Sequence, residues 1–140
     1  MMQQLNTPAR ALVALALLLM VCCASVSSRV EGIEWKLKGW TLSSLSAEAT
    51  GITATLADGK ISGFSGVNTY GGACRIGTDG AFSAGTLGMS KMAGPEPAMR
   101  AEGAYVTLLR QAMSYKVVGN TLTLYDAGGN ESLIFEATDK

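Results

Sequence analysis

Ser90 and Lys91 are neighbours, and a serine beside a lysine is one way of activating a hydroxyl nucleophile. That chemistry needs the two side chains to face each other, which adjacency in sequence does not provide, so a solvated loop is the expected state of the pair. Paired carboxylates offer general acid and base chemistry, but Asp58, Asp79 and Asp126 each stand beside a turn, where aspartate serves the backbone. Histidine is absent from all 140 residues, which excludes Ser–His and Cys–His catalysis and removes the commonest metal ligand. The stretch Gly63–Gly72 is rich in glycine, yet it lacks the lysine of a phosphate-binding loop and runs into a strand pattern instead of a helix. Asn68 is the polar residue of most interest there. Its side chain is expected to cap the bend after Gly66 through backbone groups, with ligand contact as the second role. Cys74 stands alone on a strand pattern and is expected to act as a small buried hydrophobe. No catalytic residue, metal site or cofactor is expected.

The elements that position these residues follow from periodicity. Asp58-Gly59 is a strong signal for a tight hairpin turn, between a strand at Thr53–Leu56 and one at Lys60–Gly66 that Gly63 and Gly66 would bend. Trp35 and Leu37 alternate with lysines, while Trp40 and Leu42 fall one residue out of phase, which predicts a bulge at Gly39. Further strands are expected at Tyr70–Ile76, Ala81–Ala84, Tyr115–Val118, Thr121–Tyr125 and Ser132–Glu136. Leu87–Met92 is apolar without a clear period and has no assigned state. Pro95-Glu96-Pro97 starts a helix, and Ala98, Ala101, Tyr105, Leu108, Leu109 and Ala112 form its apolar face, opposite Arg100, Thr107, Arg110 and Gln111. Met99 and Met113 would widen that face, and with Met89 and Met92 they are expected in the core or lining a groove between helix and sheet. Gly103 should cost the helix about 1 kcal/mol relative to alanine, which a close approach to the sheet would explain. Strands on both sides of one helix predict an α+β domain, a curved antiparallel sheet of half-barrel form wrapped around the helix.

The amino-terminal segment is of another kind. Residues 1–10 carry one base and no acid, and Ala11–Val21 is an unbroken apolar run of 11 residues, too short for a spanning helix, which needs about 20. Small residues follow, so residues 1–28 read as a secretory signal with a tether, cut near 22–28, ahead of a single domain over 29–140. Two routes stay open. Lipoprotein processing would make Cys22 or Cys23 the first, acylated residue; ordinary cleavage would follow Ala24 or Ser28. The polar leader Ala24–Gly32 is expected to be disordered. Beyond residue 28 the chain keeps 10 basic and 11 acidic residues, a balance that excludes a general nucleic-acid role. Only Cys74 remains there, so no intrachain disulfide is available and packing must supply the stability of an exported monomer.

Taken together, these residues resemble the META domain family of HslJ-like heat-shock and envelope proteins. Trp35-x-Leu37-x-x-Trp40 matches its opening, and Gly63-x-x-Gly66-x-Asn68-x-Tyr70-Gly71 matches its central motif. Met92-Ala93-Gly94-Pro95-Glu96 leads into its single helix, where Glu102 and Tyr105 fit the pattern. The resemblance implies a structural role for these motif residues. Many members look like Gly-Cys-Asn at the central motif and Met-Ala-Cys-Pro before the helix, and those two cysteines are able to pair; here Val67 and Gly94 occupy the positions. Their joint loss suits a structural pair replaced by packing. The resemblance also implies a periplasmic or lipid-anchored envelope protein with a link to stress, and a fold similar to lipid-binding pilotin-type proteins. It implies no enzymatic activity. The expected function is non-catalytic binding of an envelope protein or of a lipid or other apolar ligand. A purely structural lipoprotein is the alternative, and a carboxylate or Ser–Lys hydrolase is least favoured.

Overall fold

Asp58 and Gly59 both take left-handed backbone, with φ of 52° and 70°. That is the geometry of a tight hairpin turn whose twist matches the strands it joins. The computed structural model describes residues 30–41 and 45–138. The proposed signal segment with Cys22 and Cys23, and Leu42, lie outside the described residues. In chain order the strands are β1 (Glu34–Trp40), β2 (Thr53–Ala57), β3 (Lys60–Phe64), β4 (Thr69–Ile76), β5 (Phe82–Met89), β6 (Ser114–Val118), β7 (Thr121–Tyr125) and β8 (Glu131–Ala137). One α-helix, α1 (Glu96–Gln111), joins β5 to β6, and a short 3-10 turn occupies Glu48–Thr50. Leu87–Met89, which had no assigned state, is thus the second half of β5.

The strands form one sheet in the order β5-β4-β3-β2-β1-β8-β7-β6, with antiparallel pairing throughout. The sheet curls into a half-barrel until its two edges touch. There Ala81 bridges Ser114, the Phe82 amide donates to the Met113 carbonyl at 2.9 Å, and the Tyr115 amide donates to the Gly80 carbonyl at 2.8 Å. Bulges help the curl. One falls between Leu37 and Gly39, as the phase slip around Gly39 requires, and another between Gly72 and Cys74. A Cβ on Gly72 would lie 2.3 Å from the Thr86 carbonyl oxygen, and one on Gly63 would lie 2.2 Å from that of Thr53. At both places the neighbouring backbone leaves no room for a side chain.

Alternation decides what faces inward. Trp35 and Leu37 on β1, Ala54 and Leu56 on β2, Leu122 and Leu124 on β7, and Leu133 and Phe135 on β8 are all buried. They meet Tyr105, Leu108 and Leu109 of α1, and Ala112 just after it, in one core, with the Tyr105 ring edge-on to those of Tyr70 and Phe135 at 5.6 and 6.3 Å. Burying a side chain such as Leu109 contributes about 2 kcal/mol. Helix face and sheet thus plug each other, the expected α+β arrangement.

Three sequence expectations need correction. Val30 is not part of a disordered leader: it is fully buried, its carbonyl accepts the Trp35 indole N–H at 3.0 Å, and the Gly32 amide donates to Leu56. Three of the four methionines are not core residues. Half-buried Met89 packs against the core, but Met92, Met99 and Met113 are exposed, because Met92 and Met113 fall outside the helix ends and Met99 turns away from the sheet. Gly103 makes no close approach. It faces solvent with nothing within 4 Å of where its Cβ would stand. Gly103→Ala should therefore stabilise the protein by about 1 kcal/mol through helix propensity alone, measured as a higher urea midpoint with an unchanged slope.

Candidate functional site

β3 ends at Phe64, so Gly66 belongs to the connection to β4 and not to a bent strand. The connection is tight. Gly66 has φ 117°, and a Cβ on it would lie 3.6 Å from the Ala98 carbonyl oxygen and 3.7 Å from the Glu102 Cβ. Glycine lets this loop lie directly on α1. The Ser65 amide closes the loop by donating to the Asn68 carbonyl at 2.8 Å.

Glu102 fills the loop's mouth. It is only 6% exposed. Its Oε2 accepts the Ser65 hydroxyl at 2.7 Å, the Val67 amide at 3.1 Å and the Asn68 amide at 2.7 Å. Its Oε1 accepts the Asn68 Nδ2 at 2.8 Å. The Ser65 hydroxyl also lies 2.8 Å from the Asn68 carbonyl, but it has one proton, and the carboxylate is the stronger acceptor. Asn68 carries the network onward. Its Oδ1 accepts the Met92 amide at 2.6 Å and the Ser90 hydroxyl at 3.0 Å, while Ser90 Oγ accepts the Thr69 amide at 3.1 Å. The carboxylate therefore ties α1 to the Ser65–Asn68 loop, and Asn68 ties that loop to the Ser90–Met92 segment.

No cation takes part. Among the described residues the ion pairs are Lys38 with Glu48 and Glu136, and Arg100 with Glu96. Burial pushes the Glu102 carboxyl up, but the hydrogen bonds from Asn68, Ser65 and the two loop amides outweigh it and hold the group below the usual carboxylate range. A second polar chain lies deeper. The Tyr70 hydroxyl is 2.9 Å from the Thr53 carbonyl, which can only accept, so the Tyr105 hydroxyl donates to Tyr70 at 2.6 Å. Burial raises both phenols above their ordinary range.

The other sequence candidates are scattered. Asn68 does bond backbone groups, but those of Met92; the loop amides are capped by Glu102. Ser90 is committed to Asn68 and Thr69, beside an exposed Lys91. Asp79 accepts the Ala81 amide, and Asp126 accepts the Gly128 and Asn130 amides, so both serve turns, far from each other in the chain. Asp58 forms its hairpin turn. Cys74 is buried, which pushes its thiol up to about 11 and suits packing over reactivity. Trp40 is half-buried with its indole N–H on the Leu45 carbonyl. Pro95 precedes α1, Glu96 pairs with Arg100 at the surface, and Gly71 has room for a side chain. Among the described residues no group of three His, Cys, Asp or Glu side chains is placed to hold a metal ion. Sequence reasoning missed Ser65 and the centrality of Glu102. The signal was present: Glu102 lies four residues after Ala98, an acid on the apolar face.

The positions of the missing cysteines do face each other. A Cβ on Gly94 would lie 3.5 Å from the Val67 Cβ and 2.8 Å from its Cγ2, so the valine side chain fills the space that glycine leaves. Beside this cluster lies a groove of about 220 Å³ between α1 and the 45–50 segment, lined by Leu45, Ala49, Gly66, Pro97, Ala98 and Ala101 among others. A wider, more polar cleft of about 450 Å³ lies at the other end of α1, near Phe82, Arg110, Met113 and Asp126.

Comparison with known proteins places this geometry. An NMR structure of a protein from Burkholderia xenovorans is similar over 81% of this chain and 86% of its own, with 28% identity and a TM-score of 0.65. A second NMR structure, 17% identical, covers 78% of this chain and 92% of its own at a TM-score of 0.61. A crystal structure of a DUF4847 family protein from Bacteroides vulgatus, 20% identical, covers 65% and 62% at 0.51. The last two share the fold alone. No functionally curated protein matches the chain. The family signature described as META domain matches residues 28–139, and the chain belongs to the META domain family.

Proposed function

We propose that this META domain protein is a non-catalytic, exported envelope protein that binds a partner protein through the groove at the amino-terminal half of α1. The observation that carries this is the groove's character: Leu45, Ala49, Pro97, Ala98 and Ala101 give it a mostly apolar lining, to which Ser46 and Thr50 add polar groups, and Leu45 remains 41% exposed. Met92 and Met99 add exposed apolar surface at the same end of the helix. Volume favours a protein over a lipid. Small-molecule sites usually run to roughly 300–1,000 Å³, above the 220 Å³ available, whereas one aliphatic side chain anchoring a partner fits. The space between helix and sheet offers a lipid nothing, because Tyr105, Leu109 and Phe135 fill it. Export rests on residues 1–28, and a stress role rests on the family likeness.

Photo-crosslinking in intact cells tests the proposal. A photoreactive residue at position 45 should give a discrete protein adduct that the same residue at Lys116, on β6, does not. Ala98→Trp, which fills the groove, should abolish the adduct. Equal labelling at both positions, or adducts with lipid only, would remove the proposal. Labelling with a palmitate analogue, with and without Cys22 and Cys23, separates the anchored from the soluble form.

A further inference from the structure

We propose that Glu102 is an acid-released latch: taking up one proton frees the amino-terminal half of α1 from the Ser65–Asn68 loop, while the sheet stays paired. The two halves of α1 are held by different forces. In the second half Tyr105, Val106, Leu108 and Leu109 are buried; in the first, only Ala101 and Glu102 are. Alanine buries little apolar surface, so the first half hangs on the hydrogen bonds of one carboxylate. The loop lies beyond the strand ends: the last β3–β4 pair is Phe64 with Thr69. Opening the latch therefore breaks no strand ladder.

Protonation acts on an already crowded donor set. Four groups donate to the carboxylate: the Ser65 hydroxyl, the Val67 and Asn68 amides and the Asn68 Nδ2. A fifth proton has one outlet. The Ser65 hydroxyl can turn to the Asn68 carbonyl, 2.8 Å away, and accept from the new carboxylic acid. The two amides and the carboxamide cannot reverse, so their charge-assisted bonds become ordinary ones of about half the strength. The surroundings contain no competing switch. Lys91 is exposed, Arg100 and Glu96 pair with each other at the surface, the Ser65–Asn68 loop has no titratable side chain, and the Tyr70 and Tyr105 phenols bond each other. Hydrogen bonding holds Glu102 below the ordinary carboxylate range. The latch's contribution is therefore complete above the ordinary carboxylate pKa and is lost as pH falls through the lowered one.

Amide hydrogen exchange on the intact protein, read as protection factors from pH 6 to pH 3, tests the latch. The Val67 and Asn68 amides should lose protection about tenfold per pH unit below the ordinary carboxylate range, the slope of a one-proton opening. The Leu37 and Cys74 amides, bonded to Ile52 and Gly59 across the sheet, should keep theirs. Glu102→Gln mimics the protonated state. In that variant the two latch amides should be at least tenfold less protected at pH 6 and insensitive to pH; if it fails to fold, the wild-type titration decides alone. Simultaneous loss at all four amides, or latch amides indifferent to pH, would overturn the proposal.

Discussion

Glu102→Leu should lower the free energy of unfolding by about 3 kcal/mol, read as a fall in urea midpoint with little change in slope. Leucine matches the apolar face but accepts nothing. The Ser65 hydroxyl, the Val67 and Asn68 amides and the Asn68 Nδ2 would all lose their partner. Each stranded buried donor costs about 1–3 kcal/mol taken singly. The sum is capped, because the loop can lift from α1 and let water reach those donors. Glu102→Gln should cost less, since a carboxamide still accepts at one atom, although its other atom is now a donor among donors. Equal costs for the two variants would mean that the charge carries the whole effect, because glutamine keeps the shape and one acceptor. A neutral effect of leucine would mean that the carboxylate contributes no net stability, as replacing some buried ionic groups by apolar ones has shown elsewhere.

The contrast between what the chain announces and what it conceals has a physical cause. The hairpin at Asp58-Gly59, the bulge at Gly39 and the inward face of α1 were legible because each is set by residues a few positions apart. The polar cluster was not. Ser65, Asn68, Ser90 and Met92 reach Glu102 or one another across 22 to 37 positions, and no local period marks such a contact. Glu102 still left a trace, as a charge on an apolar helix face, where a buried acid demands donors from elsewhere. Gly103 misled for the opposite reason. A glycine in a helix signals either a close approach or nothing, and only the solvent around it decides. The methionines misled because hydrophobicity alone does not say on which side of a helix end a side chain falls.

The Val67–Gly94 contact lets one of these long-range relations be fixed covalently. Val67→Cys with Gly94→Cys should form a disulfide under oxidising conditions and raise stability by about 3–4 kcal/mol, the loop-closure effect for a ring of this length. The geometry is favourable: the two Cβ positions lie 3.5 Å apart, within the range disulfides use, and Gly94 is not among the residues with left-handed backbone. Both changes are needed. A Cβ at position 94 alone would stand 2.8 and 3.0 Å from the two Val67 methyls, so Gly94→Cys in the presence of Val67 should destabilise. The bond would enclose β4 and β5 and pin the Ser65–Asn68 loop to the segment ahead of α1, next to the Glu102 latch. The urea midpoint should fall on adding reductant, and peptide mapping should find 67 joined to 94 with Cys74 free. A midpoint indifferent to reductant, or a linkage through Cys74, would show that the two segments do not face each other in solution. If the bond forms, the valine and glycine stand as a packing substitute that leaves this corner free to open, where a covalent tie would keep it shut.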